Sequence, residues 1–116
     1  MAAASNDLEV TVQETEQRLA AGEIQLVDVR EQYEWDAGRI AGEVRHIELE
    51  RLPSQADTLA TDRPVVFQCR LGSRSLFAAQ AFRAKGYEAY SLAGGIPAWH
   101  DAGLPLDPPD GVVADH

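Results

Sequence analysis

The chain has one cysteine, and the residues around it are those that would make a thiol react. An apolar run, Val65-Val66-Phe67, passes through Gln68 and stops at Cys69. The next six residues, Arg70-Leu71-Gly72-Ser73-Arg74-Ser75, include a glycine, two hydroxyls and two guanidinium groups. Leu76 to Lys85 then reads as a helix, so the pattern is strand, loop, helix with a thiol at the strand's carboxyl end. In an open parallel sheet that edge gathers helix amino termini and unpaired backbone N–H groups, which makes it the usual ligand edge. Fixed positive partial charge and two arginines favour the thiolate, the nucleophilic form of cysteine. A lone cysteine is commonly just a small buried hydrophobe. A structural cysteine would lie inside the apolar run, however, and would gain nothing from Arg70 and Arg74.

The remaining elements follow from periodicity and punctuation. Leu8 to Thr11 is a short strand, and Thr11 with Glu14 has the spacing of a capping box for a helix from Val12 to Ala21, stopped by Gly22. Ile24 to Val29 is an apolar strand of the kind buried on both faces. Glu31 to Ala37 is a short acidic helix ended by Gly38, and Val44 to Ile47 is a third strand after a loop. Helical turns interrupted by Pro53 occupy Leu49 to Leu59. Val65 to Gln68 is the central strand, Tyr87 to Leu92 the last, and Ile96 to Ala102 a closing helix anchored by Trp99. Strands alternating with helices predict a parallel sheet of about five strands with helices on both faces, an α/β fold. Right-handed crossovers put all strand carboxyl ends, and with them Cys69, on one edge.

Asp28 and Arg30 close the second strand at that same edge and have two readings. One makes them part of the active-site rim. The other is structural, with Asp28 capping the following turn and Arg30 paired with Glu34 one helical turn on. His46 is a candidate base, although a lone histidine after a short strand is more often structural; His100 and His116 are weaker candidates.

The loop Cys69-Arg70-Leu71-Gly72-Ser73-Arg74-Ser75 resembles the active-site loop of rhodanese domains, the thiosulfate-type sulfurtransferases. Leu26-Val27-Asp28-Val29-Arg30-Glu31, with Glu34-Trp35 and Gly38-Arg39-Ile40-Ala41-Gly42, is similar to the family's first signature. Leu92-Ala93-Gly94-Gly95-Ile96-Pro97-Ala98-Trp99 is similar to its last. The three occur in the family's order and span about Leu8 to Leu106. Glu43 and Glu48 depart from the pattern, which has a small residue and a proline near those places; both lie away from the cysteine. The resemblance implies a three-layer α/β/α fold and a single rhodanese domain over 8–106. It leaves 1–7 as a flexible N-terminus and 107–116, rich in proline, as a flexible tail.

Loop length separates the reactions open to such a thiolate. Cysteine-based phosphatases and arsenate reductases place five residues between cysteine and arginine, wrapping a tetrahedral oxyanion. Cys69 and Arg74 are separated by four residues, and a tighter ring directs its N–H groups onto the sulfur itself or one sulfur attached to it. This favours sulfur transfer through a persulfide over phosphoryl transfer. Cys69 is then the nucleophile, and Arg70, Leu71, Gly72, Ser73 and Arg74 form the binding loop. Arg70 and Arg74 face an anionic donor, backbone N–H groups face the persulfide, and the Ser73 hydroxyl is a further donor candidate. Arg74 has the alternative of bonding loop carbonyls from inside. Within the family resemblance, two arginines indicate the thiosulfate rather than the mercaptopyruvate branch. Two other functions fit the same loop: a relay module handing sulfur to a biosynthetic partner protein, and a non-catalytic interaction module.

Composition bounds these readings. A chain of 116 residues forms one domain. The net charge of −9 argues against nucleic acid and anionic membranes as partners. Residues 1–62 hold 5 basic and 14 acidic side chains, whereas 63–116 hold 5 of each, so the cysteine loop is locally positive on an acidic protein and suits a small anionic sulfur donor. A thiol or cyanide is the expected acceptor, with a sulfur-accepting protein as the relay alternative. No motif has metal-ligand or nucleotide-binding spacing, so neither metal nor cofactor is expected. The first residues lack the basic and apolar regions of a secretory signal, and one cysteine makes no internal disulfide; both suit the cytoplasm.

Overall fold

Five short parallel strands carry the structure, and the three inner ones, Gln25–Asp28, Val65–Gln68 and Ala89–Leu92, are buried on both faces. The computed structural model describes residues 8–116; the expectation for 1–7 lies outside the described residues. Strands β1 (Glu9–Val10), β2 (Gln25–Asp28), β4 (Val44–His46), β5 (Val65–Gln68) and β6 (Ala89–Leu92) form one sheet in the order β1-β6-β5-β2-β4. All its pairings are parallel, with Val27 opposite Phe67 and Phe67 opposite Ser91. The three-layer α/β/α expectation is therefore met. Winding reverses between β2 and β5, since β4 follows β2 outward on one side and β6 follows β5 outward on the other. That reversal opens a crevice at the carboxyl ends of β2 and β5, where ligands bind in folds of this kind.

Strand alternation sorts the core into two layers. Val27, Val65, Phe67 and Cys69 face one way, packing with Ala78, Ala79 and Phe82 of α4 (Ser73–Ala84). Leu26, Val66 and Leu92 face the other, against Ile96 and Trp99 of α5 (Gly95–Asp101) and Val12 of α1 (Val12–Ala20). Trp99 is 1% exposed, and its Nε1–H donates to the Pro105 carbonyl at 2.8 Å, which anchors the closing helix as expected. Thr11 caps α1, accepting the Glu14 N–H on its side chain at 3.1 Å. Only that half of the expected capping box forms there, because the Glu14 carboxylate turns to Arg18.

Two features depart from the element reading. Residues 49–58 are continuous helical turns: a 3-10 turn at Leu49–Arg51, α3 (Leu52–Gln55) and a second 3-10 turn at Ala56–Thr58. Pro53 does not interrupt them, since it occupies the first turn of α3, where its missing N–H has no helical partner to lose. Second, Arg39–Ile40 is a strand, β3, rather than loop; it pairs antiparallel with β7 (Leu106–Asp107) beside α2 (Gln32–Ala37). After β7 the chain folds back along α2, and the Val112 N–H donates to the Ala37 carbonyl at 2.9 Å.

Candidate active site

Cys69 follows β5 directly, and strand alternation turns its side chain to the same layer as Phe67 and α4. The chain then tightens through Gly72, whose φ of +98° begins α4. This turn brings the Gly72 N–H back onto the cysteine, donating to Sγ at 3.0 Å. An N–H aimed at sulfur from a helix amino terminus stabilises negative charge on it.

A hydroxyl relay completes the sulfur's surroundings. Ser75 Oγ lies 3.4 Å from Sγ and donates to the Gly72 carbonyl at 3.1 Å. Ser91, on β6, meets Ser75 Oγ at 2.7 Å. Because Ser75 has one hydroxyl hydrogen, it can turn from the Gly72 carbonyl to the sulfur when the thiol loses its own proton. Ser73, the hydroxyl singled out from the sequence, is exposed at the start of α4; the hydroxyl beside the sulfur is that of Ser75. Ser91 is absent from the residues that the sequence points to. The one signal for it in the sequence is a serine set in the otherwise apolar run Ala89-Tyr90-Ser91-Leu92; its complete burial is seen only in the structure.

The two loop arginines are held differently. Arg74 is forked onto Glu34, with Nη1 to Oε1 at 2.9 Å and Nη2 to Oε2 at 3.1 Å. Glu34 is completely buried, and its Oε1 also accepts the Glu31 N–H at 2.9 Å, closing a capping box on α2. Burial pushes the Glu34 carboxyl up, but the Arg74 and Glu31 hydrogen bonds with the Arg74 and His116 charges bring it below the usual 4.5. The hydrogen bond to Glu34 holds Arg74 more firmly protonated than an ordinary arginine, against the opposing effect of burial. Arg70 Nη2 instead reaches Asp115 at 3.1 Å, and Asp115 is 96% exposed.

Asp28 and Arg30 are fully buried and form a pair with each other, Nη2 to Oδ2 at 2.8 Å. Asp28 Oδ1 also accepts the Arg30 N–H at 3.0 Å, and Arg30 Nη2 donates to the Gly38 carbonyl at 2.9 Å. They tie the end of β2 to the end of α2 and present no charge at the rim. The expected Arg30–Glu34 pair does not form, because Glu34 belongs to Arg74. His46 is likewise held structurally, its Nε2–H donating to the Arg30 carbonyl at 2.7 Å and its ring stacked on Trp35 at 4.8 Å. Glu31, Glu34 and His116 bring ligand-type atoms within 4.8 Å of one another, but both Glu34 oxygens are committed to Arg74.

The third motif supports the loop from below. The Ile96 N–H donates to the Cys69 carbonyl at 3.1 Å. Gly95 has φ +60°, and a Cβ there would lie 2.2 Å from the Cys69 carbonyl oxygen and 2.7 Å from that of Arg70. Only glycine allows the two backbones to approach this closely. On another side, a groove of about 590 Å³ runs past Arg74, walled by Val29, Leu49, Leu52, Phe77 and Phe82. Leu71 stands 74% exposed at the tip of the loop.

The sequence and the fold match known proteins. The rhodanese-like domain family matches residues 11–102. The chain is 40% identical over 77% of its length to "Uncharacterized protein YqhL" of Bacillus subtilis, covering 71% of that protein. It is 35% identical over 80% of its length to "Thiosulfate sulfurtransferase GlpE" of Shewanella oneidensis, covering 92% of it. The fold matches the crystal structure of a rhodanese-related protein from Thermoplasma volcanium with a TM-score of 0.78, at 24% identity, over 85% of this chain and 96% of that one. The chain therefore belongs to the rhodanese-like domain family.

Proposed function

We propose that the protein is a sulfurtransferase that moves sulfane sulfur from thiosulfate or a similar donor to a cyanide or thiol acceptor, through a persulfide on Cys69. The observation that carries this reading is the Gly72 N–H on Sγ in a loop with four residues between Cys69 and Arg74. A ring of that size focuses its donor on sulfur. The Cys69 thiolate attacks the outer sulfur of thiosulfate; a new S–S bond forms, the old one breaks, and sulfite leaves with the electron pair. Arg70 binds the sulfonate oxygens and stabilises the leaving charge. Arg74, neutralised by Glu34, holds the loop in shape and adds less to binding. The persulfide's outer sulfur then passes to the acceptor and the thiolate returns, a double displacement. Cys69 has no exposed surface at rest, so loading requires the surrounding loop to give way. The name of the GlpE relative supports thiosulfate as a donor, and a thiolate that must be regenerated suits a reducing compartment such as the cytoplasm.

The test is loading followed by intact mass measurement. Thiosulfate treatment and removal of excess should add one sulfur atom, which cyanide should remove as thiocyanate. The chain has no second thiol to release the sulfur as an internal disulfide, so the loaded form should persist until an acceptor arrives. Cys69→Ser should fold and take up nothing. A wild-type protein that gains no sulfur from thiosulfate or any polysulfide would overturn the proposal.

The groove and the exposed Leu71 and Phe77 beside the site favour one variant of this reading, in which the acceptor thiol sits on a partner protein and the domain acts as a relay.

A further inference from the structure

Each cation of the cysteine loop is already paired with a carboxylate of the chain, but the two pairs differ in how easily they can be displaced. Glu34 takes Arg74 with two bonds from a fully buried position. Asp115 takes Arg70 with one oxygen on Nη2 at 3.1 Å, and its own side chain is 96% exposed. The Arg70 Nε is buried and has no hydrogen-bond partner among the described residues. An incoming anion that spans Nε and Nη2 would therefore make the forked contact that Asp115 leaves half-made.

Asp115 is not a stray side chain. The segment that carries it is laid across α2 by several contacts. The Val112 N–H bonds the Ala37 carbonyl at 2.9 Å, the Tyr33 hydroxyl donates to the Asp115 carbonyl at 3.0 Å, and His116 Nε2 meets Glu31 Oε2 at 2.9 Å. Gly38 lets this segment lie flush, since a Cβ there would stand 2.5 Å from the Val112 carbonyl oxygen. These contacts hold a carboxylate against Arg70, the guanidinium assigned above to the donor's sulfonate.

We infer that Asp115 is a specificity-determining residue: its carboxylate competes with the sulfonate of sulfonate-bearing sulfur donors for Arg70, so the C-terminal segment raises the concentration of such a dianion needed at the site and leaves donors without a sulfonate unaffected. The inference rests on the sulfur-transfer reading above. An exposed single-contact pair contributes little, so relief of the competition should change affinity about two- to fivefold.

The experiment compares the wild type with Asp115→Asn, and with Asp110→Asn as a control that alters the same charge in an exposed part of the segment away from Arg70. Thiosulfate and an alkyl persulfide are the two donors, and protection of Cys69 from iodoacetamide by inorganic sulfate gives a binding readout that needs no sulfur transfer. Asp115→Asn should lower the thiosulfate KM about two- to fivefold, leave the persulfide KM unchanged and shift sulfate protection to lower concentration by a similar factor. Asp110→Asn should match the wild type in all three. Equal gains for both donors would mean that the segment only obstructs access, and no change with thiosulfate or sulfate would mean that Asp115 does not compete; either result overturns the inference. Failure of the wild type to load sulfur would instead overturn the reading beneath it, while sulfate protection would still decide whether Asp115 competes for Arg70.

Discussion

Replacing Glu34 by glutamine tests whether the Arg74 fork holds the cysteine loop. Glutamine keeps the shape and one carbonyl-type oxygen, so the capping bond from the Glu31 N–H, 2.9 Å in the native protein, can survive. It removes the charge that Arg74 is paired with and replaces one acceptor by a donor. Removing one partner of a fully buried ion pair costs about 3–5 kcal/mol. Arg74 keeps 16% of its side chain in water, which softens the loss towards the ~1.5–3 kcal/mol typical of a hydrogen bond to a charged group. For a chain of this size that corresponds to a melting temperature about 6–15 °C lower at neutral pH. The pH dependence is the sharper test. The Glu34 carboxyl in the folded protein lies below its usual 4.5. Its contribution is therefore fully present above that value and is lost as pH falls through the lower folded-state value. The stability gap between wild type and Glu34→Gln should be flat from neutral pH to the usual carboxylate range, then narrow on further acidification as Glu34 protonates and comes to resemble glutamine. Thermal or denaturant unfolding of both proteins across that range measures the gap. A gap that does not narrow in acid, or none at neutral pH, would refute the role assigned to the pair.

Arg70→Ala should lower kcat/KM for thiosulfate roughly ten- to a hundredfold, the loss of a charge-assisted contact of ~1.5–3 kcal/mol, and should affect an alkyl persulfide much less; donor-specific kinetics checks this, and equal losses would make Arg70 a support for the loop. Gly95→Ala and Gly103→Ala separate strain from crowding, since both glycines have positive φ, +60° and +76°, but no atom of the described residues lies within 4 Å of a Cβ at Gly103. Gly103→Ala should cost about 1–2 kcal/mol. Gly95→Ala should cost more, because the Cys69 and Arg70 carbonyls must move, and it should also lower sulfur transfer in the protein that remains folded; equal unfolding midpoints for the two variants would count against the tight packing under the loop.

What could be read from the sequence is what neighbouring residues decide. The alternation in Val65-Val66-Phe67-Gln68-Cys69 settles which face the thiol takes, and Gly72 with Arg74 and Ser75 lies within one turn of it. The alternation of strands with helices, the carboxyl edge and the family follow from such local patterns repeated along the chain, whereas the strand order β1-β6-β5-β2-β4 is seen only in the fold. Asp28 at its turn was also legible, because its capping bond reaches only two residues ahead. The partners of the charged groups were not. Arg30 had Glu34 at helical spacing, but tertiary packing brought Arg74 to Glu34 from 40 positions away, and a carboxylate already forked onto one guanidinium has no good geometry left for another. Ser91 reaches Ser75, 16 residues away in the chain, only because β6 lies beside β5, and Asp115 reaches Arg70 only because β7 returns the chain to α2. Short-range patterns record backbone preference and burial. Which charge meets which is decided by where the packed layers place side chains that are distant in sequence, and in this protein that placement sets how each arginine of the cysteine loop is held.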